Sequence, residues 1–137
     1  MPFTPWTTLE SYIELLRVVR ENDLVENVAP IQLAIRLLIP AGSRLLELEE
    51  VKQFVAPFDP SALMYPWENP DPRVDALADE IEQIVASGEK RKLPRGAIFE
   101  RIWKAAHEAA GMEPELKARP VLVPRAAIPY LNEPWYC

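Results

Sequence analysis

Fifteen prolines stand against four glycines in this 137-residue chain, and that imbalance narrows the folds open to it. Each proline fixes φ at about −65° and removes a backbone donor, so it starts or ends helices and stays out of central strands. Few glycines mean few left-handed turns. Connections should therefore be stiff corners, with regular structure confined to the stretches between prolines.

The first such stretch begins at Thr7-Thr8-Leu9-Glu10, which reads as a capping box with Thr7 as N-cap and Glu10 three residues on. Behind it Leu9, Ile13, Leu16 and Val19 recur at helical spacing with Tyr12 beside them, while Glu10, Glu14, Arg17 and Glu21 face away. From Ile31 to Ile39 the period changes to two, which predicts a strand. One side, Ile31, Leu33, Ile35, Leu37 and Ile39, is wholly aliphatic and suits a covering of helices. The other, Gln32, Ala34, Arg36 and Leu38, suits either a barrel lumen or the solvated face of an edge strand. With Phe3–Trp6 as a strand end, the order strand, helix, strand implies a parallel crossover.

Ser43 is a candidate N-cap for a helix that turns Leu45, Leu48, Val51 and Val55 inward and ends before Pro57. Residues 57 to 72 hold five prolines and should cross the surface irregularly. Asp71-Pro72 reads as N-cap and first helical residue of a helix whose stripe, Val74, Leu77, Ala78, Ile81, Ile84 and Val85, stops at Gly88. A last helix should run from about Pro94 to Ala110, closed by Gly111, with Ile98, Ile102, Ala105 and Ala109 on one face and Phe99 and Trp103 adjoining. Beyond it, recurring prolines predict an extended tail with a short strand at Val121–Val123. The expected fold class is α/β, helix-dominated, divided as 1–56, a helical extension 57–111 and a proline-rich tail 112–137.

The apolar share of 49% and charged share of 26% are those of a globular protein. A net charge of −6 opposes phosphate capture and argues against a general nucleic-acid binder. The one basic cluster, Lys90, Arg91, Lys92 and Arg95, reads as a solvated corner between helices. No apolar run approaches the roughly 20 residues that span a bilayer, and the amino terminus lacks a secretory pattern, so the cytoplasm is expected. Cys137 is the single cysteine, which excludes an internal disulfide and any multi-cysteine metal site within one chain. His107 is expected on a helix surface, and Asp75, Asp79, Glu80 and Glu82 on a solvated helix face. Gln32 and Arg36 stand out, because two polar side chains four apart on a strand should point together into something polar.

The runs Pro2-Phe3-Thr4-Pro5-Trp6-Thr7-Thr8-Leu9 and Val28-Ala29-Pro30 through Ser43 resemble the last strand–helix units of a radical S-adenosylmethionine (SAM) barrel. The end, Asn132-Glu133-Pro134-Trp135-Tyr136-Cys137, is similar to the tail of radical SAM proteins that finish in Cys-Cys-Ala-Glu-Pro or Cys-selenocysteine-Ala-Glu-Pro. Trp67 and Asp71-Pro72-Arg73-Val74-Asp75-Ala76-Leu77 match the segment between. A full barrel takes about 250 residues, so this likeness, which covers nearly the whole chain, is to the C-terminal part of such an enzyme.

The resemblance implies a [4Fe–4S] cluster on a Cys-x-x-x-Cys-x-x-Cys loop that cleaves SAM, often with a cobalamin-binding-like domain upstream. That loop has no match here, and one cysteine cannot supply three thiolates, so no cofactor should be bound by this chain alone. Within the resemblance, Gln32 and Arg36 are the candidate cofactor-binding residues and Cys137 is half of a tail redox pair. Its position also fits a reading frame stopped at a UGA selenocysteine codon. The implied partner is the rest of the barrel, or a second copy, with neither membrane nor nucleic acid. The rival expectation is a self-contained, mostly helical interaction module without a catalytic role.

Overall fold

The computed structural model describes residues 1–114; the expectations for Val121–Val123 and Cys137 lie outside the described residues. Helix dominates, as α1 (Leu9–Glu21), α2 (Glu49–Lys52), α3 (Pro72–Lys90) and α4 (Arg95–Ala109), with single 3₁₀ turns at Pro30–Leu33 and Arg44–Glu47. The N-cap of α1 is Thr8, one residue later than the sequence suggests, and Ser11 closes the capping box in place of Glu10. Thr7 is occupied elsewhere: its hydroxyl donates to the Pro2 carbonyl at 2.8 Å and accepts from the Thr4 amide at 2.9 Å. Asp71 caps α3 as its sequence implies, with Pro72 at the first position, where a missing N–H costs nothing.

Helix α4 packs against both α3 and α1, and the turn Pro30–Leu33 closes against α3 and α4. Leu16, Ile81, Ile102 and Ala106 are fully enclosed in the resulting core, which Phe3, Leu9 and Tyr12 seal at the amino-terminal end. A smaller second core gathers Leu37, Ile39, Val51 and Trp67 under the proline-rich crossing. The helix expected from Leu45 to Val55 is broken: Ser43 caps only the 3₁₀ turn, Leu48 is extended and exposed, and Val51 alone of the four is buried.

The Ile31–Ile39 segment corrects the expectation most directly. Proline at position 30 starts a 3₁₀ turn through Leu33, because its fixed φ suits a helical first residue and the Gln32 amide can reach back to the Ala29 carbonyl. Extended backbone begins only after Ala34, and alternation survives only over Leu37, Leu38 and Ile39, with Leu38 exposed between two buried neighbours. Among the described residues the extended segments meet at isolated bridges, namely Phe3 with Arg36 in parallel and Pro40 with Met64, Val55 with Trp67 and Asp59 with Met64 in antiparallel sense. The aliphatic side is not wholly covered either, since Ile35 keeps 39% of its surface exposed.

Tyr12 links α1 to that turn. Its ring stacks on Phe3 at 4.7 Å and its hydroxyl donates to the Leu33 carbonyl at 2.9 Å. Burial pushes the phenol well above its ordinary value of 10.0. The unfolded phenol ionises near that ordinary value and the folded one does not, so this contribution is complete below about pH 10 and declines as pH rises beyond it. Urea unfolding from neutral pH to about pH 11 should show a loss of stability above pH 10 that Tyr12→Phe abolishes. The same variant should cost about 1 kcal/mol at neutral pH by orphaning the Leu33 carbonyl; an unchanged alkaline slope would refute the assignment.

Candidate functional site

Most of the long-range polar contacts converge on one junction, where the amino-terminal segment, Arg36 and the start of α3 meet. Asn69 is its centre. Buried at 8% exposure, its amide nitrogen donates to the carbonyls of Thr4 at 3.2 Å and Thr7 at 2.9 Å, while its oxygen accepts from the Asp71 amide at 2.9 Å. Its own backbone amide donates to Asp75 Oδ2 at 2.9 Å. A single side chain thus satisfies buried backbone groups from two distant parts of the chain, which rigid proline-flanked segments could not pair by themselves.

Arg36 occupies the other half of the junction. Its Nη1 lies 2.8 Å from Asp75 Oδ1, an ion pair whose alignment falls outside hydrogen-bond geometry, and its Nη2 donates to the Trp67 carbonyl at 2.7 Å. The guanidinium carbon sits 3.9 Å from the centre of the Trp67 ring, a cation–π stack. Trp67 in turn donates its indole N–H to the Leu37 carbonyl at 2.7 Å. Asp75 is therefore no solvated helix residue, as its place in an acidic run suggests, but the counter-ion that orients Arg36. Asp79, Glu80 and Glu82 are exposed as expected.

Gln32 is not part of this junction. It sits exposed on the 3₁₀ turn, so the strand face expected to align Gln32 with Arg36 does not form. Arg36 already carries a carboxylate and an aromatic face from its own chain, and a cofactor carboxylate would have to displace Asp75. The site holds no paired nucleophile and base; its chemistry is that of a positioning network.

Because both charged side chains keep about a quarter or more of their surface exposed, the pair is worth less than a fully buried one. Arg36→Met should cost about 1–2 kcal/mol by stranding Asp75, and its cost should be smaller in the Asp75→Asn background, which removes the charge but keeps an acceptor for the Asn69 amide. Chemical denaturation of the two variants measures this, and additive losses would show that the residues are not coupled.

His107 is also misplaced by its sequence context. It is buried at 5% exposure, 4.4 Å from the Trp103 ring centre, with Nδ1 2.7 Å from the Trp103 carbonyl. A carbonyl only accepts, so Nδ1 carries the proton. The missed signal is the spacing Phe99, Trp103, His107, a second buried stripe at i, i+4 beside Ile98, Ile102 and Ala105. Arg20 of α1 lies over the Trp103 ring at 3.8 Å and pairs with Glu100. The basic residues Lys90, Arg91 and Lys92 are exposed at the α3–α4 corner, and the Arg95 guanidinium donates to the Glu26 carbonyl at 2.9 Å.

Among the described residues no group of three histidine, cysteine or carboxylate side chains is placed to hold a metal ion, and no helix is long and apolar enough to cross a membrane. Comparison with protein-family models, with curated proteins and with solved structures found no match.

Proposed function

We propose that this chain is the C-terminal part of a radical SAM enzyme, contributing the end of its β/α barrel and a helical extension, and that it performs no chemistry alone. The observation that carries this reading, beside the sequence resemblance, is the parallel pairing of Phe3 with Arg36 on either side of α1. The Phe3 amide donates to Ile35 and its carbonyl accepts from Leu37 at 2.8 Å. Parallel segments joined through a helix are the repeating unit of β/α barrels. The far edge supports it too: among the described residues the backbone groups of Arg36 and Leu38 make no backbone hydrogen bond, and Leu38 is 64% exposed. Such an edge suits addition of a neighbouring strand.

The residues present do not fit the implied cluster, since one cysteine stands where three thiolates are needed. Nor does Arg36, held by Asp75, offer a free cation to SAM. The role assigned to the chain is accordingly architectural, with the cluster loop on polypeptide outside this sequence.

A second reading, a self-contained helical interaction module, is favoured by a different observation: Leu37 and Ile39 are enclosed by residues of this same chain. Size-exclusion chromatography with light scattering separates the two. A barrel piece should self-associate through its open edge, whereas a module should run as a stable monomer. The genomic DNA gives an independent check, upstream for the three-cysteine loop and downstream for Ala-Glu-Pro codons, and absence of both would overturn the enzyme reading.

A further inference from the structure

Residues 35–40 pair along one side only. The Ile35 carbonyl accepts from the Phe3 amide at 3.3 Å, the Leu37 amide donates to the Phe3 carbonyl at 2.8 Å, and the Ile39 carbonyl accepts from the Tyr65 amide at 2.8 Å. These partners come from the parallel segment at Phe3 and the antiparallel segment at Met64, yet all engage odd-numbered residues. Successive residues of extended backbone aim their N–H and C=O groups to opposite edges, so those of Arg36 and Leu38 aim away from both partners. The free stretch has defined ends. The Ala34 amide is spent on the Ile31 carbonyl, Pro40 has no N–H, and the Pro40 carbonyl accepts from Ser43 at 3.1 Å. Between those ends Leu38 keeps 64% of its surface exposed, although Leu37 and Ile39 beside it are buried.

We propose, building on the strand-accepting edge of the enzyme reading, that its occupant is a second copy of this chain, paired antiparallel about a two-fold axis at Leu37. In that register Arg36 of one copy lies opposite Leu38 of the other, and every outward amide and carbonyl of the two residues meets a partner. Neighbouring registers fail. Setting Arg36 against itself brings Leu38 opposite Ala34, whose amide is spent, and setting Leu38 against itself brings Arg36 opposite Pro40, which has no amide to give. A long strand from another protein would find only these two residues to bond, so a partner equally short fits the edge better. Charge does not oppose the contact at its centre, because Arg36 already lies 2.8 Å from Asp75 of its own chain. Leu38 then covers the aliphatic stem of Arg36 in the other copy. So short a ladder makes a weak dimer, and its two-fold symmetry uses up both edges and stops further growth.

Sedimentation equilibrium of the full chain, from micromolar to millimolar concentration, should show monomer and dimer. Leu38→Pro removes the outward donor of an edge, a position where proline is tolerated. It should weaken dimerisation about tenfold or more, through loss of the reciprocal bonds from that amide. Leu38→Ala keeps the amide and should weaken it less. In a mixture of isotope-labelled and unlabelled chain, filtered nuclear Overhauser spectra should join the Leu37 α-protons of the two copies, which approach closely in a non-hydrogen-bonded antiparallel pair. A dimer as tight in Leu38→Pro as in the natural chain would overturn this pairing and leave the enzyme reading intact. A monomer at every concentration would overturn the pairing and favour the self-contained module. Absence of the Leu37 contact between copies of the natural chain would overturn it as well, even if Leu38→Pro failed to fold.

Discussion

Trp67→Ala is expected to destabilise the protein by about 3–5 kcal/mol, the range for removing a large buried aromatic side chain. Three losses combine at that position. The ring is 5% exposed and fills the small core with Leu37, Ile39 and Val51. Its indole N–H holds the Leu37 carbonyl, and its face supports the Arg36 guanidinium. The Trp67 carbonyl that receives Arg36 survives the substitution, but the stack that aligns the two does not. Since the small core is separate from the main one, the damage should be uneven. Hydrogen exchange should accelerate at Tyr65, whose amide donates to Ile39 at 2.8 Å, while α3 and α4 amides keep most of their protection. Trp67→Phe should cost less, because it retains ring packing and loses only the donor and part of the volume. A melting temperature within a few degrees of the natural chain for Trp67→Ala would show that the second core contributes little.

The helices were legible in the sequence where local signals agreed with one another. Asp71-Pro72 at the start and an unbroken apolar stripe behind it fix α3, and Gly111 past a stripe of seven buried residues fixes the end of α4. Where two signals competed, period lost to proline. The alternation from Ile31 is real in the sequence, yet Pro30 coils its first turn, and of the expected strand one isolated parallel bridge, at Arg36 with Phe3, remains. The candidate site was half legible. Arg36 stood out as a cation on an apolar stretch, but its partners come from 31 and 39 residues away, and no local pattern announces such a pairing. Asp75 shares an acidic helix with solvated carboxylates and is told apart only by what lies opposite. Asn69 had a weak signal, an amide between prolines in a crossing segment, where backbone groups without regular partners need a side chain to satisfy them.

Gly88 shows the same limit of local signals and yields the sharpest mutational test. Its sequence context reads as a helix stop, but α3 continues to Lys90, and the absent side chain serves packing instead. A β-carbon there would lie 2.7 Å from Ile98 Cγ1 and 2.8 Å from Cδ1, inside any tolerable contact, with Ile98 itself 2% exposed in the core. Glycine is what lets α3 and α4 approach at their crossing. Gly88→Ala would raise helix propensity by about 1 kcal/mol and, against that, overpack the crossing by about 1–3 kcal/mol, so a net loss is expected. Gly88→Val should cost about 3 kcal/mol or more, since branching adds bulk and loses the propensity gain. The sign should reverse in the Ile98→Ala background. There the obstructing atoms are gone, and Gly88→Ala should stabilise by up to about 1 kcal/mol while partly filling the cavity. A double-mutant cycle by chemical denaturation reads the coupling directly. Equal effects of Gly88→Ala in both backgrounds would mean that the two helices do not meet at this point, and the arrangement of α3 on α4 would have to be redrawn.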